Sequence, residues 1–170
     1  YFIPASQQPL KQGRHHAEAA DRLAMVRLMA EGDDRFEVEA IEIERAGLSY
    51  SVDTLEAFAA RAPGDERYFL IGADVVHTFS QWRSPKRVAE LACLTVLRRD
   101  SSEMPVEKAA LVGSLRAITG DSLPAPIVLD SRQVDVSSTE IRERVRTRRS
   151  LHGFVPDAVA RFITERGLYR

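Results

Sequence analysis

The sequence predicts an α/β protein built on a mostly parallel sheet. Three observations carry this. Short continuous apolar runs, Tyr68-Phe69-Leu70-Ile71, Leu94-Thr95-Val96-Leu97 and Ile127-Val128-Leu129, read as strands, the first with the signature of a buried parallel strand. Segments with helical apolar spacing fall between them. No two-residue Asn-Gly or Asp-Gly turn joins neighbouring runs, so nothing signals a hairpin. Alternation of this kind defines a parallel sheet with crossover helices.

Taken in order, Tyr1-Phe2-Ile3 reads as the end of a buried strand stopped by Pro4, and residues 5–13 as a polar loop holding Pro9 and Lys11. Residues 17–30 space Ala20, Leu23, Ala24, Val26, Leu28 and Met29 helically, up to the stop at Gly32. Phe36 to Ile43 alternates, with a switch of face near residue 40, and is expected to be a strand. Residues 46–50 form a loop. A helix follows over 52–62, with Ser51 as its N-cap and Pro63-Gly64 as its stop. The strand closing at Gly72 leads into a helical turn over 74–79, then a helix over 85–91. Helices are also expected over 106–118, 137–149 and 156–166, the last with Pro156 in its first turn and Gly167 at its end.

The bulk numbers exclude several classes of function. With 170 residues, one domain is expected. A formal net charge of −1 supplies no field for nucleic acid or a membrane surface. Lys11, Lys86 and Lys108 are the only lysines among 24 basic residues, so arginine is the default cation and a local arginine cluster weighs less than usual. Cys93 is the single cysteine, which excludes an internal disulfide and a cysteine-based zinc site. No apolar run approaches the length of a membrane span. A cytoplasmic location is the default expectation.

In an open parallel sheet, ligands collect outside the carboxyl ends of the strands. Three polar segments fall there. Lys11 follows the first apolar run. Gly72-Ala73-Asp74 follows Ile71; a glycine at that point lets backbone approach a ligand closely, and Asp74 can accept from ribose hydroxyls or act as a helix cap. Ser137-Ser138-Thr139-Glu140 follows the last run and fits a capping box, in which Ser137 accepts from the third N–H and Glu140 reaches back. A helix mouth with spare N–H groups attracts phosphate, and Arg142, Arg146 and Arg149 are spaced to share one helical face behind it. Taken alone, this is an ordinary capped surface helix. Trp82, the only tryptophan, lies in a polar segment beside Gln81 and Arg83; it is either a half-buried packing residue or a ring that stacks on a flat heterocycle. The four histidines show no metal-ligand spacing with carboxylates, and the sequence holds no phosphate-binding glycine loop and no nucleophile elbow.

Together these segments resemble one family. Phe2-Ile3-Pro4 with Pro9-Leu10-Lys11, Ser49-Tyr50-Ser51-Val52-Asp53-Thr54-Leu55, Phe69-Leu70-Ile71-Gly72-Ala73-Asp74 with Phe79 and Trp82, Val136-Ser137-Ser138-Thr139-Glu140-Ile141-Arg142, and the ending Val155-Pro156 to Gly167-Leu168-Tyr169 stand in the order found in bacterial nicotinate-nucleotide adenylyltransferases. The resemblance runs the length of the chain. It implies a Rossmann-like, doubly wound sheet and adenylyl transfer from ATP, with Mg²⁺, to nicotinate mononucleotide, giving deamido-NAD and pyrophosphate. It assigns Ser137, Ser138 and Arg142 to the ATP phosphates, Gly72 and Asp74 to adenosine, Trp82 and Ser51 to the nicotinate ring, and Lys11 to a phosphate. It implies no nucleic-acid or membrane partner, and it allows a homo-oligomer.

Two departures stand out. Leu10 replaces the family's usual histidine. The glycine-rich Gly-x-Phe-Asp-Pro-x-His-x-Gly-His opening is absent from these residues, so the resemblance implies a further strand and helix, on the order of thirty residues, ahead of Tyr1 in the working enzyme. The competing readings are another nucleotidylyltransferase, such as pantetheine-phosphate adenylyltransferase, and a non-catalytic nucleotide-binding module. A third, docking of the arginine helix on nucleic acid, is opposed by the neutral charge.

Overall fold

The computed structural model describes residues 1–9, 17–99, 107–132 and 134–170. In chain order the elements are α1 (Ala19–Ala30), α2 (Ile41–Arg45), α3 (Ser51–Arg61), β1 (Tyr68–Gly72), a 3-10 helix (Ala73–Gln81), α4 (Pro85–Leu91), β2 (Cys93–Arg99), α5 (Lys108–Thr119), β3 (Ile127–Ser131), α6 (Ser138–Arg146) and α7 (Asp157–Glu165). The chain divides into two compact units, Tyr50–Val134 and a second made of Tyr1–Ser49 with Asp135–Arg170.

In the unit Tyr50–Val134, three strands form one sheet in the order β1-β2-β3, and both pairings are parallel. Parallel neighbours need a long crossover. The 3-10 helix and α4 supply the first, α5 the second. Register sets Leu70 against Thr95 and Thr95 against Ile127. The alternate residues Ile71, Leu94 and Val96 are 5%, 3% and 0% exposed and pack with Phe79, Val88 and Leu115 from the 3-10 helix, α4 and α5. This is the core of the unit. On the opposite face Tyr68, Leu70, Ile127 and Leu129 are exposed, so β1 is not the buried strand its apolar run suggests: only one of its faces is packed by helices. Among the described residues, β1 and β3 are the outer strands.

In the other unit, α7 lays Val159 and Ile163 against Leu151, with Met25 and Leu28 of α1 and Ile141 and Val145 of α6 around them. Asp21, buried in α1, accepts from Nε of Arg166 at 3.0 Å, which ties α1 to the end of α7. Arg22 donates to the carbonyls of Ala5, Ser6 and Ala17, fastening the N-terminal segment to α1.

Three further expectations are corrected. Tyr1-Phe2-Ile3 is not a buried strand: Phe2 makes a single parallel bridge to Val38, and Tyr1 is 64% exposed. Phe36 to Ile43 is not a strand either. Beyond that bridge its backbone turns helical, Glu44 N–H donating to Ala40 C=O, and α2 takes Ile41 to Arg45. Alternation alone does not hold a strand; it needs a partner along its length. Finally, α6 ends at Arg146 rather than reaching residue 149. Arg148 takes φ +53°, and the N–H groups of Arg148 and Arg149 return to Val145 and Arg144 C=O, closing the helix.

Candidate functional site

α6 starts where its side chains dictate. Ser137 is extended, and its Oγ accepts from Glu140 N–H at 3.1 Å. Only half of the expected capping box forms. Glu140 does not reach back; its Oε1 accepts from Arg144 Nε at 3.0 Å, the i,i+4 partner a helix offers. The guanidinium of Arg144 lies 3.6 Å from the Phe154 ring centroid and donates to Ser150 C=O. Ser137, Ser138 and Thr139 are all exposed at the helix mouth. Because the cap uses an acceptor lone pair of Ser137, its O–H remains available to donate.

Arg142 points back along α6, donating from Nη2 to Thr139 Oγ1 at 3.3 Å, and no acid pairs with it among the described residues. With Arg146, Gly167, Tyr169 and Arg170 it lines a cavity of about 240 Å³. Arg149, expected on the same helical face, lies beyond the end of the helix. Tyr169 has φ +65°. Burial pushes its phenol above the ordinary range, while Arg142 and Arg22 pull it down, so the hydroxyl is a neutral donor at neutral pH.

A second group of residues belongs to the unit Tyr50–Val134. Gly72 precedes the 3-10 helix at φ −72°, so its backbone needs no glycine. A Cβ there would meet only the carboxylate end of Asp74, an exposed side chain that can turn aside, so neither backbone nor space demands glycine within this chain and a close approach to a ligand is the use left for it. Asp74 is exposed in the first turn rather than capping the helix. At the far end of the 3-10 helix Trp82 is half-buried, edge-on to Phe69 (centroids 6.1 Å apart, planes at 80°) and tilted against Phe79 at 5.3 Å.

Ser51 is the first residue of α3, not its N-cap. Tyr50 precedes it in extended conformation, and its carbonyl accepts from Asp53 and Thr54 N–H, which starts the helix one residue early. The start of α3 meets the Trp82 segment through Arg83. Its Cζ lies 4.7 Å from the Tyr50 ring centroid, and Nη1 is 3.5 Å from Asp53 Oδ2. In the sequence Arg83 stands only as a neighbour of Trp82, and no local pattern announces this contact. Ser137, Ser138 and Arg142 thus share α6, while Gly72, Asp74, Trp82 and Ser51 share the sheet-bearing unit. Lys11 lies outside the described residues. Among the described residues, no group of three or more His, Cys, Asp or Glu could hold a metal ion, and no helix is long and apolar enough to cross a membrane.

Polar groups at the carboxyl ends of parallel strands in one unit, and a serine-rich helix mouth backed by arginine in the other, are each features that α/β proteins use to bind nucleotides. The model of the cytidylyltransferase-like family matches residues 1–144. A "Probable nicotinate-nucleotide adenylyltransferase" of Gemmatimonas aurantiaca is 49% identical over 169 residues, covering 99% of this chain and 77% of that protein. One of the same name from Geobacillus kaustophilus is 36% identical over 170 residues, covering 99% of this chain and 71% of the relative. The fold matches that of Plasmodium falciparum nicotinic acid mononucleotide adenylyltransferase complexed with NaAD, with TM-score 0.71 and 12% identity, over 98% of this chain and 80% of that one. The chain belongs to the nicotinate-nucleotide adenylyltransferase family, nucleotidylyltransferases of NAD biosynthesis.

Proposed function

We propose that this protein transfers the adenylyl group of ATP to nicotinate mononucleotide, giving deamido-NAD and pyrophosphate. The observation that carries the reading is the 49% identity to a family member over 99% of the chain. A phosphate oxygen of the mononucleotide attacks the α-phosphorus of ATP in line; the new P–O bond forms as the bond to the bridging oxygen breaks, and pyrophosphate leaves. Such a transfer needs little covalent help, and positioning with charge neutralisation supplies most of the rate.

In this reading Arg142, unpaired by any acid among the described residues, neutralises the ATP phosphates. The hydroxyls and backbone N–H groups of Ser137 and Ser138 donate to phosphate oxygens. The further cations Arg146 and Arg170 around the α6 cavity favour an anion there. Gly72 and Asp74 take the adenosine, with the Asp74 carboxylate accepting from ribose. Trp82 and Ser51 take the pyridine ring, and Lys11 holds a phosphate by family resemblance. ATP enters as its Mg²⁺ complex. The cation is borne mainly by phosphate oxygens and water, a mode that needs no protein cage. We read both compact units as parts of one catalytic domain, since the family match over 1–144 runs through both. The protein is taken to be cytoplasmic, with small-molecule partners, no nucleic-acid target and room for self-association.

The deciding experiment incubates the full chain with Mg²⁺-ATP and either nicotinate mononucleotide or 4′-phosphopantetheine, following the dinucleotide and pyrophosphate. Deamido-NAD from the first alone supports the reading. Product from phosphopantetheine alone moves the protein to another nucleotidylyltransferase activity. Binding of ATP without product makes it a nucleotide-binding module.

A further inference from the structure

We infer that Arg83 determines specificity at the acceptor site, selecting a ring carboxylate over a ring carboxamide. The inference rests on the adenylyl-transfer reading above and adds the residue that tells an acid acceptor from its amide.

Arg83 follows Trp82 directly in sequence. Its guanidinium lies over the Tyr50 ring, Cζ 4.7 Å from the centroid, and the side chain is 56% exposed. Stacking on an aromatic face fixes the plane of the guanidinium while leaving its edge of N–H donors open. One acid contact uses that edge, the 3.5 Å approach of Asp53 Oδ2, long for a charge-assisted hydrogen bond. The next residue, Ser84, holds φ +50° immediately before Pro85, and so turns the chain sharply away into α4. The result is a cation held in place by Tyr50 and the turn, yet under-used by its protein partners. It lies next to the tryptophan and against the residue preceding Ser51.

The two candidate rings differ in what they offer such a group. A carboxylate presents two acceptor oxygens and a negative charge, which match the guanidinium fork. A carboxamide presents one acceptor and an NH₂ donor, so it makes one contact with the guanidinium where the acid makes two, and its NH₂ is left to Asp53, whose charge favours the amide over the acid. Asp53 adds a sign to the argument. It competes for the same guanidinium, so removing its charge frees Arg83 for substrate, whereas removing Arg83 deletes the recognition. A bridge that served only structure would respond alike to the loss of either partner.

The test uses the full chain at saturating Mg²⁺-ATP, comparing kcat/KM for nicotinate mononucleotide and nicotinamide mononucleotide. Arg83→Gln is expected to lower the acid value about tenfold, the cost of one charge-assisted contact, with the amide value changed less than about twofold. Arg83→Lys is expected to recover part of the loss. Asp53→Asn is expected to keep or raise the acid-to-amide ratio. An unchanged ratio in Arg83→Gln, or equal falls for both acceptors in both variants, overturns the inference. Should the wild-type chain make no dinucleotide from either acceptor, the adenylyl-transfer reading falls on its own. Fluorescence titration of Trp82 with the two mononucleotides then decides the recognition: preference for the acid that Arg83→Gln abolishes supports it, and equal affinities overturn it.

Discussion

Trp82 meets Phe69 edge-on, with ring centroids 6.1 Å apart and planes at 80°. Phe69 comes from β1 and Trp82 from the segment after the 3-10 helix, so the contact anchors the indole to the sheet. Phe79, fully buried, takes another part of it at 5.3 Å. The ring is only half-buried, and its exposed part is what remains for stacking. Nicotinate mononucleotide is expected to change the emission of this single tryptophan. Trp82→Ala is expected to raise the KM of the mononucleotide more than that of ATP, at a stability cost on the order of 2 kcal/mol, below the full core value because the residue is only half-buried. Unchanged emission at saturation refutes stacking.

Ser137 has two tasks that substitution can separate. Ser137→Ala removes the cap on Glu140 N–H and is expected to cost about 1 kcal/mol, read as a lowered midpoint of thermal unfolding. It also removes a donor for ATP. Ser137→Asp restores the cap but sets a carboxylate against phosphate. Recovered stability together with a still higher KM for ATP is the expected pattern; recovery of both parameters assigns Ser137 to the helix alone.

Arg148 ends α6 in the left-handed region, at φ +53°, where a side chain is crowded and glycine is not. Arg148→Gly is expected to stabilise the protein by about 1 kcal/mol, visible in chemical denaturation as a higher midpoint with the same slope. A lower midpoint refutes the strain argument.

Lys108 and Arg98 grip the carboxylate of Asp130 across the β2–β3 edge, each at 2.7 Å, and hold its pKa below the ordinary aspartate range. A depressed carboxyl favours the fold above its unfolded pKa, and that contribution is lost as pH falls through the lower folded value. Asp130 is therefore expected to titrate below free aspartate in a carbon-detected NMR series. Lys108→Met is expected to move its midpoint upward and to lower stability at neutral pH slightly, with no effect once the carboxyl is protonated in both states.

How much of this was legible depends on how local each determinant is. The three strands were readable because each is a short apolar run with a clear stop. Their true ends reach further, β2 running out to Arg99, since backbone pairing with β3 continues past the apolar run. Ser137 was readable as a cap because the signal lies within four residues. Glu140 was not, because Arg144 one turn on competes for it. Ile41 and Ile43 alternate with glutamates as a strand would, and only the single Phe2 bridge shows that pairing does not extend there. The Arg83–Asp53 approach joins residues 30 apart, and no local pattern announces it.

The exposed face of β1 also bears on how the polypeptide behaves in concentrated solution. Tyr68 and Leu70 are 56% and 59% exposed on that face, apolar surface that other apolar surface can cover. Charge flanks it: Asp65-Glu66-Arg67 precede the strand, the Tyr68 hydroxyl donates to Glu66, and Asp74 follows the strand within two residues of its end. Flanking charges of this kind oppose self-association, and they are screened by salt. The colloidal lifetime of the protein is therefore expected to shorten as ionic strength rises, read as light scattering over time.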